Sequence, residues 1–220
     1  WCGRLVLRYK RLSVGWSCME SSSLPRHWNL DKILDDLNDA GFALIDEVYP
    51  NEYVQALVDE CSLHLEQFRA AGVQNGVMSH IRSDHILWID DQLPIAQQHI
   101  QTLEHLSKVL NQAFYLGIKE VEAHFACYHA GEFYTLHRDN PQQKNDRMIS
   151  TVFYLHKDWQ EDWGGQLRLQ DKNDQWHIIQ PLPNRLAIFQ SDLLHEVLLS
   201  KQQRLSITAW LRSGNSIWNG

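Results

Sequence analysis

The stretch GEFYTLHRDNPQQ, residues 131–143, decides how the rest of the chain is read. Its His-Arg-Asp tripeptide is the one that opens the catalytic loop of protein kinases, which would demand a helical lobe around it. Its His-x-Asp spacing is also two-thirds of a metal site, which on a strand would demand a β-rich fold. The two readings need different companions. A kinase needs a G-x-G-x-x-G loop, a Lys in a V-A-I-K context, D-F-G and A-P-E. The sequence has no G-x-G, no D-F-G and no A-P-E.

The flanking texture decides the same way. After Gly117 short strand-like runs follow one another: VEAHFACYH, FYTLHRD, RMISTVFYLHK, GGQLRLQD, WHIIQPL, RLAIFQSD, HEVLLS and RLSITAWLR. Turn residues separate them. Many short strands without helices between them indicate a sandwich or barrel, and eight fit a jelly-roll. Before Gly117 the period changes. NLDKILDDLNDAG sets Leu30, Ile33, Leu34 and Leu37 at helical spacing, with Asn29 to cap the start and Gly41 the end. FALIDEV is a short strand. Residues 50–68 form a second amphipathic helix with Val54, Leu57, Val58, Cys61 and Leu65 on one face. Residues 70–92 read as a loop or finger leading into a strand. A third helix starts near Pro94, with Ile100, Leu103, Leu106, Leu110 and Phe114 as its apolar stripe.

The expected fold is therefore α+β, mainly β: a double-stranded β-helix (jelly-roll) core with N-terminal helices packed on one sheet. Residues 1–28 are expected to be an extension, disordered or a non-native start, because MESSSLPRH from Met19 reads like a natural beginning. Residues 29–115 form a helical support with the finger loop, 116–213 the catalytic core and 214–220 a tail.

Composition narrows the function classes. The chain has 220 residues, 44% hydrophobic and 21% charged, enough for a real core. A net charge of −7 argues against a nucleic-acid backbone as partner. No apolar run approaches the roughly 18 to 20 residues of a membrane span. The four cysteines are scattered without a C-x-x-C pair, which points to a reducing, cytoplasmic compartment.

With twelve histidines, about one His-x-Asp is expected by chance. The chain holds two, His137-Arg-Asp139 and His156-Lys-Asp158, so the signal must come from more distant residues. A strand alternates its side chains, which puts His137 and Asp139 on one face. A non-haem iron site of the two-His-one-carboxylate type needs one further His and leaves a coordination face open. His195, in SDLLHEVLL, is that candidate. In RLSITAWLR one face is Leu205, Ile207, Ala209 and Leu211, and the other is Arg204, Ser206, Thr208 and Trp210. The second face suits a polar cavity rather than a dry core. Arg204 can pair in bidentate fashion with a carboxylate, the obvious one being that of 2-oxoglutarate, and Tyr154 can donate a second hydrogen bond to it. His156 lies where a strand runs into a turn and is expected to be a decoy, nearly silent on mutation.

At these residues the sequence resembles the 2-oxoglutarate and Fe(II)-dependent prolyl 4-hydroxylases of the EGL-nine type, which hydroxylate hypoxia-inducible factor, and their bacterial relatives. The resemblance spans Leu30 to Arg212 and is carried by ACYHAGEFYTLHRDNP, R-MISTVFYLHKDW, GGQLRL, F-SD---HEV and R-SITAWL. It implies a peptidyl-proline 4-dioxygenase with His137, Asp139 and His195 as catalytic iron ligands. Arg204, Tyr154 and Tyr128 would serve the co-substrate. IRSDHILWID is similar to the family's mobile finger, so Arg82, Asp84 and Trp88 become expected substrate contacts, with Tyr134, Arg147 and Trp210. Strict alternation would turn Tyr134 to the wrong face. O2 would be consumed, succinate and CO2 released, and ascorbate would serve as reductant. The partner would be a protein carrying a target proline, such as a translation factor or ribosomal protein. Ser83 stands where the animal enzymes have Gly, and the sequence ends soon after Arg212, short of their long C-terminal tail. Two other functions remain open: a hydroxylase of a small molecule or free amino acid, and a catalytically idle metal-binding sensor on the same barrel.

Overall fold

The structure is a computed structural model that describes residues 24–72, 78, 80–141 and 146–214. Helix α1 (Leu30–Asp39) starts where Asn29 accepts a hydrogen bond from the Lys32 amide at 3.0 Å, and the chain leaves it through Gly41 at φ +82°. Strand β1 (Phe42–Ile45) and helix α2 (Asn51–Leu63) follow. Then come β2 (Arg69–Ala70), β3 (His85–Trp88) and α3 (Pro94–Phe114). Pro94 opens α3 without needing an amide bond. The next two amides, of Ile95 and Ala96, donate to the buried Glu60 carboxylate of α2 at 3.0 and 2.8 Å. One helix thus caps the next and fixes their angle.

The eight expected runs are all strands: β4 (Glu120–Tyr128), β5 (Tyr134–His137), β6 (Arg147–Tyr154), β7 (Leu167–Gln170), β8 (Trp176–Ile179), β9 (Leu186–Gln190), β10 (His195–Val197) and β11 (Arg204–Arg212). A seven-stranded sheet runs β1-β9-β6-β11-β4-β3-β2, and a four-stranded sheet runs β5-β10-β7-β8. All named pairs are antiparallel.

Alternation separates the two faces of the large sheet. Phe125, Ile149, Phe153, Ile188, Ile207, Ala209 and Leu211 pack in one apolar cluster with residues of α1, α2 and α3. This is the expected layer of helices on one sheet. Val152, Tyr154, Ala187 and Phe189 point the other way and meet Leu167, Leu169 and Ile179 of the small sheet. Residues of β5, β10 and β11 line a cavity between the sheets.

The 1–28 boundary needs correction. Leu24 and Trp28 are buried, and the Trp28 indole donates to the Val48 carbonyl at 3.3 Å, so the fold begins at least at Leu24. Residues 1–23 of that expected extension, residues 215–220 of the expected tail, and residues 73–77 and 79 of the finger lie outside the described residues.

Candidate active site

His137 ends β5 and His195 begins β10, and the two are directly paired across the ladder. Asp139 lies just past the end of β5, so it reaches the cluster from a turn and not, as alternation along one strand suggested, from the strand itself. Ligand atoms of His137, Asp139 and His195 all lie within 4.8 Å of one another. Nε2 of His137 is 3.6 Å from Asp139 Oδ1, and Nε2 of His195 is 3.6 Å from Oδ2.

Backbone carbonyls set both rings. Nδ1 of His137 donates to Thr135 O at 2.7 Å, and Nδ1 of His195 to Leu193 O at 2.9 Å. A carbonyl can only accept, so each Nδ1 donates to it and each Nε2 is turned toward Asp139. Burial and the neighbouring His137 push the His195 imidazole down to about 4. Burial alone would raise Asp139, but His195, His137 and the Ser150 hydroxyl outweigh it and hold the carboxyl well below its usual range. Ser150 Oγ donates to Asp139 Oδ2 at 2.6 Å and lies 2.8 Å from Ser191 Oγ. Two imidazoles and one carboxylate converge here, a donor set suited to a divalent transition metal.

Arg204 lies deeper in the same cavity, lined also by Tyr128, Val152, Phe189, Thr208 and Trp210. The arginine is 1% exposed. Its guanidinium sits 5.0 Å from the ring centres of both Tyr128 and Tyr154. It donates to Ser206 Oγ at 3.3 Å, while Nε has no hydrogen-bond partner. The hydroxyl of the fully buried Tyr154 has none either. Among the described residues no carboxylate pairs with this cation. A buried unpaired guanidinium is costly, so the pocket is built for an anion brought from outside. These orphaned donors fit the far carboxylate of a short 2-oxo diacid, whose other end would reach the metal ligands.

Two residues stand close to Arg204, one of them without an expectation from sequence and the other, His156, expected to be a decoy. Gly165 has φ +65°, and a Cβ there would stand 3.0 Å from Arg204 Cδ and 3.3 Å from Trp159. The second Gly of GGQLRL therefore makes room for the arginine. His156 belongs to neither metal-capable cluster among the described residues. It is not a bystander, however: it is buried, its ring centre lies 4.2 Å from that of Trp159, and burial and the Arg204 charge push it down to about 3. It packs behind the anion pocket, beside Trp159 and within reach of the Arg204 charge.

Outside the cavity mouth runs a groove of about 840 Å³. Arg82, Trp88, Tyr134, Arg147 and Trp210 line it, and it reaches Asp139. Tyr134 stacks on His137 with ring centres 3.6 Å apart. It faces the metal side because β5 bulges: His195 pairs with His137 but Val197 pairs with Tyr134, so three steps on β5 match two on β10. Arg147 lies 3.6 Å over the Trp210 ring, and Trp88 is half exposed. Asp84 departs from its expected role. It is fully buried and holds Arg82 through bonds of 2.6 and 3.0 Å, so it orients Arg82 instead of lining the groove.

A two-sheet β-helix with a His-Asp-His cluster at its mouth and a lone buried arginine behind it defines an oxygenase of the iron and 2-oxo acid class. The description "2OG-Fe(II) oxygenase superfamily" matches residues 123–212. Human prolyl hydroxylase EGLN3 is 30% identical over 202 residues, covering 82% of this chain and 82% of that protein. Human Egl nine homolog 1 is 29% identical over 198 residues, covering 82% of this chain and 46% of that one. A prolyl-4-hydroxylase of Pseudomonas putida superposes with a TM-score of 0.76 at 35% identity, over 82% of this chain and 96% of its own. A Trichoplax adhaerens prolyl hydroxylase, solved with a peptide fragment of hypoxia-inducible factor, gives 0.77 at 25% identity, over 87% and 96%. The chain belongs to the 2OG-Fe(II) oxygenase superfamily and, within it, to the prolyl hydroxylases of the EGLN type. It is an Fe(II)- and 2-oxoglutarate-dependent dioxygenase. No helix among the described residues is long and apolar enough to cross a membrane.

Proposed function

We propose that the protein hydroxylates a prolyl residue of a protein substrate, consuming O2 and 2-oxoglutarate and releasing succinate and CO2. One observation carries this reading: the buried, unpaired Arg204 shares a cavity with the His137–Asp139–His195 cluster. An idle metal-binding module would have no use for such an anion anchor. Iron bound by the three ligands would supply the chemistry that couples O2 and oxo-acid breakdown to oxidation of an unactivated C–H bond.

The chain's own residues do the rest. His137 and His195 present Nε2, and Asp139 presents a carboxylate that Ser150 keeps oriented. Arg204 and Tyr154 grip the far carboxylate of 2-oxoglutarate, and Tyr128 closes the side of the cavity. Val152 and Phe189 exclude water around the co-substrate chain. Tyr134, by stacking on His137, sets the wall against which a prolyl ring lies. Arg82, oriented by Asp84, and Arg147, Trp88 and Trp210 hold the flanking peptide. A groove of about 840 Å³ is far larger than free proline needs, which favours a peptide over an amino acid. Ascorbate is the proposed reductant for turnovers that miss their substrate. The proposed compartment is cytoplasmic, in keeping with the free, buried thiols of Cys61 and Cys127. A translation factor or ribosomal protein is the proposed target.

The test is succinate release by the iron-loaded enzyme offered prolyl peptides from such proteins or free proline. Release with peptide alone is expected; release with free proline alone would overturn the reading.

A further inference from the structure

A second cluster of metal-ligating side chains lies on the opposite face of the large sheet. Donor atoms of His85, His129 and Glu132 all lie within 4.8 Å of one another. His85 is on β3, directly paired with Cys127 of β4. Directly paired residues project from the same face. Cys127 packs with Phe125 and Ala123 in the helix-side core, whereas Ile86, Ala126 and Tyr128 pack together on the side of the iron cavity. The two clusters therefore stand on different sides of the sheet.

We propose that His85, His129 and Glu132 form a second, independent divalent-metal site of the zinc type, which braces the finger strand against the β4–β5 turn. Nδ1 of His85 is out of contact with solvent and has no hydrogen-bond partner. It lies 3.4 Å from Glu132 Oε1. Ligand atoms around a tetrahedral zinc are spaced by roughly 3.3 to 3.5 Å, so a shared cation satisfies both. The rings of His85 and His129 are 5.3 Å apart, centre to centre.

The turn that presents the carboxylate is already fixed. Glu132 Oε2 accepts from the His129 amide at 2.7 Å, and the Glu132 amide donates back to His129 O at 3.0 Å. The Gly131 amide donates to Ser200 O at 2.7 Å, and the Ser200 amide to Glu132 O at 2.9 Å. Glu132 Oε1 is left to face His85. Two imidazoles and one carboxylate select zinc and its neighbours over magnesium or calcium, which prefer all-oxygen sites. Three protein ligands leave one position for water.

The site has a structural reach. The Ser83 amide donates to Phe133 O at 3.2 Å, and the Phe133 amide to Ser83 Oγ at 2.9 Å. Arg82 and Tyr134, beside them in sequence, form an isolated β-bridge and line the groove. A cation on His85, His129 and Glu132 thus tightens the same seam from which two groove residues project.

The test uses the full chain carrying H137A and D139A, so that zinc cannot occupy the first cluster. Calorimetric titration with zinc chloride is expected to show one site per chain with a dissociation constant in the micromolar range or tighter. Adding H85A or E132Q should weaken it at least tenfold. E132Q keeps an acceptor for the His129 amide, so its melting temperature without metal should not change. Cobalt(II) should give the intense visible bands of four-coordinate geometry, lost on H129A. Absence of zinc binding in the H137A/D139A chain, or binding that survives both H85A and E132Q, would overturn the proposal.

Discussion

His137 and His195 are opposite members of one β-ladder pair, with ring centres 4.2 Å apart. The spacing of the two imidazoles is thus set by a sheet, which holds geometry better than a loop. Asp139 comes from a turn and depends on Ser150 for its orientation. H137A or D139A should abolish substrate-dependent succinate formation, since each removes a ligand. S150A should be milder: the carboxylate remains but loses its donor. Iron affinity should fall roughly 10- to 100-fold with the fold intact. Iron content after dialysis against a weak chelator measures this, and undiminished retention would contradict the role given to Ser150.

Replacing Arg204 should separate co-substrate binding from iron binding. R204A removes a charge-assisted pair, a loss of about 1.5 to 3 kcal/mol. The 2-oxoglutarate requirement should therefore rise on the order of tenfold to more than a hundredfold, while iron content is unchanged. R204K keeps the charge without the planar fork and should fall between. Equal requirements in R204A and wild type would remove the anchor from the account.

Gly165 tests the same pocket through the backbone. G165A places a methyl against Arg204 and Trp159 at a residue with positive φ. A loss of about 1 to 2 kcal/mol in stability is expected from the backbone alone, together with a raised 2-oxoglutarate requirement. Saturation at the wild-type co-substrate concentration would show that Arg204 has room to spare.

His156 should behave unlike an iron ligand and unlike a silent surface residue. H156A should keep full iron occupancy yet weaken 2-oxoglutarate, because it leaves a void beside Trp159 and removes a packed neighbour of Arg204. Direct co-substrate titration of the iron-loaded protein distinguishes the two effects.

Buried imidazoles make stability depend on pH. Burial pushes His99 down to about 3 and His124 to about 4, from an ordinary 6.5. Below pH 6.5 the unfolded chain takes up protons that the folded chain refuses. Their contribution is therefore complete above about pH 6.5 and is lost progressively as pH falls toward 3. The urea midpoint should fall across that window. H99F, which removes one such group far from the metal ligands, should make the decline shallower; an identical slope would contradict the assignment.

Much of this was legible in the sequence, and the exceptions share a cause. Short apolar runs separated by turn residues located all eight core strands, and period-two alternation split Arg204, Ser206 and Trp210 from Leu205, Ile207 and Leu211. It failed where a strand departs from regular pairing. The bulge between β5 and β10 brings Tyr134 to the metal side, and the end of β5 leaves Asp139 on a turn. Asp84 is expected as a substrate contact from the resemblance of IRSDHILWID to the family's finger, but the structure turns it inward onto Arg82, and only Arg82 faces the groove. Ser150 and Gly165 act through neighbours remote in sequence, and nothing local marks them; the second His-x-Asp marks His156 only as a decoy, and its place near Arg204 comes from the fold.

The central claim is that this chain oxidises prolyl residues in proteins. Its most direct test is a proteome-wide mass comparison between cells carrying the wild-type protein and cells carrying H137A. The expected result is an oxygen-sized mass gain on proline in one or a few proteins, present with wild type and absent with H137A. Identical proline oxidation in the two proteomes, alongside intact co-substrate turnover by the wild-type enzyme, would contradict it.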